Sequence, residues 1–345
     1  MIDFGRRTLW ARLGPVSLRL DVRSLAVCAV LAALSLSVAL VALASGDFRL
    51  SVSEVVSAVL DRQSFAHTIV VDWRMPRVLA ALVFGAALGV SGAIFQSLTR
   101  NPLASPDIIG FSTGAYTGAL LVMVLAGGSY LRVAGGALAG GLATAALVYL
   151  LAYRRGVQGF RLIIVGIAVA ATLNSFNTWL MLTADLEVAM AAATWGIGSL
   201  NDTGWAQAGL GGVVIGVLLL VAVPLARPLR QLELGDDAAR ARGVAVEPAR
   251  LALVALGVAL TAAVSAAAGP IVFVALAAGQ ISRRLTRTAG VALAPAAFLG
   301  ALMLCACDYV AQHVLPTPLP VGVVTVVLGG GYLIWLLIHE SRRRL

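Results

Sequence analysis

The sequence contains no lysine. Its formal charge of +9 over 345 residues therefore rests on arginine. A phosphate-binding loop of the G-x-x-x-x-G-K-[ST] kind needs its lysine, so this chain has no nucleotide site of that type. If ATP drives its action, hydrolysis belongs to another subunit. Cysteine is scarce as well: Cys28, Cys305 and Cys307 all lie in apolar runs, and no C-x-x-C spacing occurs. They read as small apolar packers, which argues against a disulfide or a thiolate metal site. His67, His313 and His339 are scattered and form no ligand cluster. No metal, no cofactor and no catalytic group is expected.

Charge is the next shortage. Only 12% of residues are charged and 60% are hydrophobic, too little polar surface to clothe a soluble core. The 36 glycines suit closely packed membrane helices. On a soluble protein an arginine-only charge would suggest nucleic acid. Here most arginines cluster at the ends of apolar runs, so membrane topology explains them and no nucleic-acid partner is expected. The expected class is an all-α integral membrane protein in contact with lipid.

Residues 1–23 carry Arg6, Arg7, Arg12, Arg19 and Arg23 and read as a basic cytoplasmic segment. The uncharged run that follows, 24–46, includes Ala42-Leu43-Ala44 and mimics a signal peptide with its cleavage site. It is longer than the 7–15 residues of such a segment, which favours a retained first helix. Residues 47–73 read as a polar connection in which Ser51-Val52-Ser53-Glu54 caps a short helix. Further uncharged runs lie at 78–99, 108–131, 133–153, 162–184 and 203–226. The segment 185–202 is too short and polar to span and reads as an interfacial helix and turn. Residues 251–282 are uncharged, too long for one untilted span, and Gly269-Pro270 should split them into 251–268 and 271–286. Runs at 288–307 and 319–338 complete the set. The transmembrane domain thus covers 24–340, with a charged segment at 227–250 and a basic tail at 341–345.

Counting the split run as two gives about ten transmembrane helices. With the N-terminus inside, twenty arginines then fall on inner segments, and only Arg49, Arg62, Arg74, Arg77 and Arg132 fall outside. With nine spans the last two basic clusters would face outward, against the positive-inside bias. Ten spans and two cytoplasmic termini are expected.

The stretch 74–118 organises the rest. Two arginines bracket Met75-Pro76, and 22 residues without a charge follow, enough to cross a hydrocarbon core of about 30 Å. Gly85, Gly89 and Gly92 recur at helical spacing and leave one face open to another helix. The run then breaks at Arg100-Asn101-Pro102-Leu103. Non-helical backbone at a membrane boundary survives only where protein buries it or it lines a wet path.

R-M-P-R at 74–77, G-A-A-L-G-V-S-G-A at 85–93, N-P-L-A-S-P at 101–106 and G-F-S-T-G-A at 110–115 together resemble the FecCD family. These are the permeases of ATP-driven importers for iron–siderophore complexes and cobalamin. Trp195 with Gly198-Ser199-Leu200, Trp205, L-G-D-D-A-A at 234–239, Gly269-Pro270-Ile271, Phe273-Val274 and Leu319-Pro320-Val321-Gly322 follow in the family's order. The likeness covers roughly 25–340, and within the family it is strongest to the ferric-enterobactin type of permease.

The resemblance implies a cobalamin/siderophore-importer permease fold and roles for named residues. Arg74 and Arg77 would contact acidic residues of a soluble or lipid-anchored siderophore-binding protein; the plain alternative is two arginines snorkelling at a membrane edge. Asn101, Pro102 and Leu103 would form an inner gate, with Gly159 and Phe160 at a second gating position; the alternative is a helix-breaking turn. Leu234, Gly235, Asp236, Asp237, Ala238, Ala239 and Gly243 would form the helix that enters a P-loop ATPase subunit. From the residues alone, Asp236 or Asp237 can cap that helix and Gly243 can end it, while a solvated loop is the plainer reading. Its glycines are expected where two backbones meet. A second, paralogous permease is the implied partner.

Three departures from the family pattern stand out: Arg242 in place of a usual Leu, Gly279-Gln280 in place of Pro-His, and Gln312 where some relatives have arginine. The remaining glycines at 110, 114, 118, 135, 136, 140 and 141 are expected to pack helices.

Three functions compete. The expected one is the permease subunit of an importer moving an iron–siderophore complex, catecholate and enterobactin-like, with a cobalamin or haem importer as its variant. An ion-coupled transporter needs ionisable groups deep in its spans. None of the uncharged runs carries one, and Asp308 lies at a span end. A non-transporting scaffold leaves the proline-broken loop and the L-G-D segment without purpose.

Overall fold

The computed structural model describes residues 8–13, 16–153, 159–288, 290 and 292–344. Arg6, Arg7, Arg154 and Arg155 of the basic clusters lie outside them. Helices make up most of the described chain, with one addition to the all-α expectation. Strands β1 (Thr8–Leu13) and β2 (Val16–Asp21) pair antiparallel in the N-terminal segment. Val16-Ser17-Leu18-Arg19-Leu20-Asp21 alternates apolar and polar residues, a period of two that suits a strand and not a helix.

Asp21 then starts α1 (Val22–Ala44), its carboxylate accepting from the N–H groups of Arg23 and Ser24. The capping box expected at Ser51 is formed: Ser51 and Glu54 satisfy each other's backbone N–H groups at the start of α2 (Val52–Leu60). The Ser51 hydroxyl and the Ser51 N–H both donate to the Glu54 carboxylate, each at 2.7 Å, and hold the carboxyl below its ordinary range.

The central span begins earlier than expected. Helix α3 (Phe65–His67), a π-helical stretch (Thr68–Arg74) and α4 (Met75–Thr99) run on as one helical rod, Phe65–Thr99. Pro76 does not start the helix; it sits in a wide turn. The Met75 N–H reaches back five residues to the Val70 carbonyl. Pro76 has no N–H to offer the next carbonyl, Val71, which instead accepts from the Trp205 indole Nε1 at 2.9 Å. The freed acceptor is satisfied from another helix.

Helix α5 (Phe111–Ala126) follows a non-helical segment and pairs with α6 (Tyr130–Ala152). Next come α7 (Gly159–Thr183), the short α8 (Leu186–Gly196) expected between spans, and α9 (Trp205–Leu232). Helix α9 runs through Pro224 and Pro228 and six residues past the uncharged run, which hydropathy alone had ended at 226. Short α10 (Asp236–Ala241) leads to α11 (Val246–Ala268), and the expected break at Gly269-Pro270 separates it from α12 (Val274–Thr286). Helix α13 (Leu293–Tyr309) ends in a π-helical turn (Val310–Val314), and α14 (Val321–Arg344) closes the chain.

Helix α4 is the axis, packed against α13, α12, α11 and α9. Phe84, Leu88, Ile94 and Phe95 are fully buried. Its glycine face does what the spacing predicts. A Cβ on Gly85 or Gly89 would strike the α13 backbone at Gly300 or Ala296, and one on Gly92 would strike the Ala275 carbonyl of α12. Gly114 and Gly118 meet Gly140 and Gly136 across the α5–α6 pair in the same way, whereas Gly135 faces open space.

Among the described residues, seven helices can cross a membrane by length and composition: α1, the 65–99 rod, α6, α7, α9, α11 and α13 with its last turn. Phe111–Ala126 and Val321–Leu336 are apolar but shorter. Helix α12, at 13 residues, rises only about 20 Å. The Arg23 Nε donates to the Leu285 carbonyl at 3.0 Å, and the Arg284 guanidinium lies 5.3 Å from the Trp335 ring. The start of α1 and the far part of α14 therefore share the end of the bundle where α12 terminates.

Candidate functional site

The sequence-predicted residues gather at the two ends of the bundle. At the end where α4 begins, Arg74 Nη1 and Nη2 donate to the carbonyls of Leu43 and Phe48, each at 2.8 Å. Arg74 thus ties the exit of α1 to the central rod. Arg77 forms a fork with Asp308 of α13, Nε to Oδ2 at 2.8 Å and Nη2 to Oδ1 at 2.6 Å, and also reaches Asn201 Oδ1 at 3.0 Å. Parallel donors matched to both carboxylate oxygens make this a strong ion-pair geometry. Gln312 adds to the cluster, its Nε2 lying 3.0 Å from both Asn201 Oδ1 and the Leu319 carbonyl. The position where some relatives carry arginine is therefore an internal tie in this chain.

Three further motifs meet nearby. The Gly198 N–H donates to the Trp195 carbonyl, Gly269 lies against that same carbonyl, and the Gly322 N–H donates to the Gly198 carbonyl at 3.0 Å. Gly198 and Gly269 have φ of +78° and +73°, a left-handed backbone that favours glycine. Segments spread over more than a hundred residues thus form one junction beneath the arginines.

At the opposite end α4 stops at Arg100, whose φ of +50° turns the chain out of the helix. Asn101 Oδ1 accepts from the Leu103 N–H at 2.9 Å, so the expected gate residues form a tight Asn-led turn. Gly159 packs on the backbone of Thr99, where a Cβ would come within 2.6 Å of its Cα. Gly159 is therefore brought to the turn, whereas Phe160 is 74% exposed and faces away. A cavity of about 420 Å³ opens beside the turn, lined among others by Gln96, Arg100, Pro102, Glu233 and Gln280.

The 234–243 segment reaches the same place. Gly235, with φ +110°, and not Asp236 or Asp237, occupies the cap of α10. The two aspartates are drawn away by arginines: Asp236 pairs with Arg250 at 2.7 Å and Asp237 with Arg240 at 3.1 Å. They lie in the first helical turn, where the helix dipole favours negative charge. Gly243, at φ +82°, ends the helix as expected, with Val244 N–H bonded to the Ala239 carbonyl and Gly243 N–H to that of Arg240. Neither glycine sits where two backbones meet. The nearest atom to a Cβ on Gly235 is Arg100 Nη2 at 4.0 Å, and Gly243 has nothing within 4 Å. Their need is conformational. Ala239 is buried, Ala238 is half-buried, Leu234 is 58% exposed and Arg242 is exposed.

Two contacts, missed in the sequence, join this segment to the end of α4. Ser97 Oγ donates to Glu233 Oε1 at 2.8 Å, and Arg100 Nη2 donates to the Leu232 carbonyl at 3.1 Å. Glu233, beside the L-G-D motif, was the available signal. Among the described residues no group of three metal-ligating side chains exists.

The chain is 51% identical to the ferric enterobactin transport system permease FepG of Escherichia coli over 324 residues, 93% of this chain and 98% of that one. It is 37% identical to the iron(3+)-hydroxamate import permease FhuG of Bacillus subtilis, covering 79% and 84% of the two chains. Among solved structures, an inward-facing metal-chelate type ABC transporter superposes with a TM-score of 0.79 at 27% identity, covering 92% of this chain and 99% of that one. Residues 29–339 match the FecCD transport family, and the chain belongs to that family.

Proposed function

We propose that this chain is one permease subunit of an ATP-driven importer that moves a ferric catecholate siderophore of the enterobactin class from periplasm to cytoplasm. The observation that carries the reading is the double tie between the segment before α10 and the broken end of α4, Ser97 to Glu233 and Arg100 to Leu232. A push on α10 by an ATPase subunit is delivered directly to the turn at Asn101-Pro102-Leu103. The likeness to FepG supports the choice of cargo. Ion coupling is the weaker reading, because the Asp308 carboxylate is bonded to Arg77 through both oxygens.

In this reading the chain crosses the inner membrane ten times, with α5, α12 and α14 completing the seven long spans. Both termini are cytoplasmic, together with α10. A second, paralogous permease covers exposed apolar surface, a P-loop ATPase takes α10, and a siderophore-binding protein docks over Arg74 and Arg77. Since Arg77 is engaged by Asp308, docking there proceeds by exchange, with a partner carboxylate replacing Asp308.

The test is reconstitution with the ATPase, the second permease and the binding protein in vesicles. ATP-dependent uptake of radioactive iron as the catecholate complex is the expected result. Uptake without ATP, or uptake of cobalamin in preference to the iron chelate, refutes it. Reporter fusions at residue 10 and after Arg344 test the topology, and opposite results at the two ends refute ten spans.

A further inference from the structure

Gly279-Gln280, which replaces the family's Pro-His, is the departure that the proposed function leaves without a role. Both residues lie on α12 where it crosses α4. Gly92 lets the α4 backbone touch Ala275, and one turn further on the open flank of Gly279 receives the side-chain amide of Gln96. Gln96 is 1% exposed, and its Nε2 donates to the Leu276 carbonyl at 2.8 Å. Gln280, 6% exposed, sends its Nε2 in the other direction, to the carbonyl of Pro102. Each helix thus presents one buried glutamine amide to a backbone carbonyl of the other segment. The second of these bonds spans 178 residues and ends on the proline of the turn that stops α4. The Tyr332 hydroxyl of α14 faces Gln280 Oε1 at 3.4 Å.

We infer that Gln280 is a positioning residue that latches the inner gate, its side-chain amide holding the Pro102 carbonyl against α12. This rests on the reading of Asn101-Pro102-Leu103 as a gate. Proline lacks an N–H, so the turn has fewer backbone donors to hold it together, and an outside donor on a neighbouring helix supplies the restraint. Gly279 keeps α12 close enough to α4 for that donor to arrive. The latch also borders the 420 Å³ cavity, so breaking it changes the wall through which cargo would leave. Pro102 itself is exposed, and the bond is therefore one that can open without unpacking the core.

The experiment uses the full importer complex in vesicles, with Cys28, Cys305 and Cys307 replaced and Leu103→Cys as reporter. A membrane-impermeant thiol reagent is supplied from the α10 side, and labelling is measured without nucleotide and with ATP trapped. Gln280→Glu keeps the shape but cannot donate to a carbonyl when ionised; Gln280→His keeps a ring nitrogen donor. One neutral hydrogen bond shifts an opening equilibrium by roughly 2- to 12-fold. The expected result is a labelling rate raised by about that factor in Gln280→Glu, with a matching rise in ATPase activity without binding protein, and both restored by Gln280→His. In a parallel sample labelled by the same impermeant reagent supplied from the opposite side, Ser129→Cys at the far end should label at an unchanged rate, which a general loss of packing would not achieve. If wild-type labelling follows nucleotide but Gln280→Glu leaves it unchanged, the latch is refuted and the gate stands. If wild-type labelling ignores nucleotide, both are refuted.

Discussion

The Arg77–Asp308 pair gives the sharpest prediction, because it separates a structural role from a docking role. Arg77 is 18% exposed at its side chain and Asp308 only 8%. Removing one member leaves the other's charge mostly desolvated, which typically costs about 2–5 kcal/mol. The partial exposure of Arg77 places Arg77→Ala towards the low end. Even about 2 kcal/mol is roughly 30-fold in the folded-to-unfolded ratio. Asp308→Asn should cost less, since Arg77 keeps Asn201. Arg77→Met combined with Asp308→Leu should recover most of the loss, because well-packed apolar pairs replace buried ion pairs at little net cost. Thermal unfolding of the purified complex in detergent reads these changes. Unchanged unfolding in Arg77→Ala would refute the internal pair and return Arg77 to the surface. Docking of the loaded binding protein is measured on the same variants at low and high salt, since screening weakens exposed charge contacts most. By exchange, Asp308→Asn should tighten docking and the double apolar variant should weaken it. Wild-type docking in the double variant would remove Arg77 from the docking surface. Reversing both arginines to glutamate is the poorer test, because a glutamate at 77 would face Asp308 and lower abundance by itself.

Three further outcomes follow from particular contacts. Trp205→Phe removes the indole donor from the Val71 carbonyl and should destabilise the protein by about 0.5–1.5 kcal/mol, whereas Trp73→Phe, which does not donate to that carbonyl, should not; equal melting of the two variants would show that Val71 needs no partner. Gly235→Ala forces a side chain into a backbone region that is essentially glycine's, a cost of about 1–3 kcal/mol confined to the α10 entry. It should uncouple ATP hydrolysis from uptake at normal membrane abundance, and wild-type uptake would count against α10 as the coupling helix. Gly89→Val drives a side chain into the Ala296 carbonyl and should lower the amount of folded protein several-fold, while Gly212→Val, at a position with open space, should leave it intact.

What the sequence determined by itself is whatever depends on neighbours along the chain. Uncharged runs fixed most spans, Gly269-Pro270 fixed the break before α12, Ser51 and Glu54 fixed a cap, and Gly85, Gly89 and Gly92 fixed the face of closest packing. Motif order was enough to identify the family. Tertiary structure decided which polar groups meet. Arg77 and Asp308 lie 231 positions apart, Gln280 and Pro102 178, and Ser97 and Glu233 136. No periodicity encodes such pairs, since a hydrogen bond or ion pair depends on where two helices cross and not on spacing within either. The same reason explains the early start of the central rod. Pro76 reads as a boundary until Trp205, from a helix 134 residues away in the pairing, takes up the carbonyl that the proline leaves free.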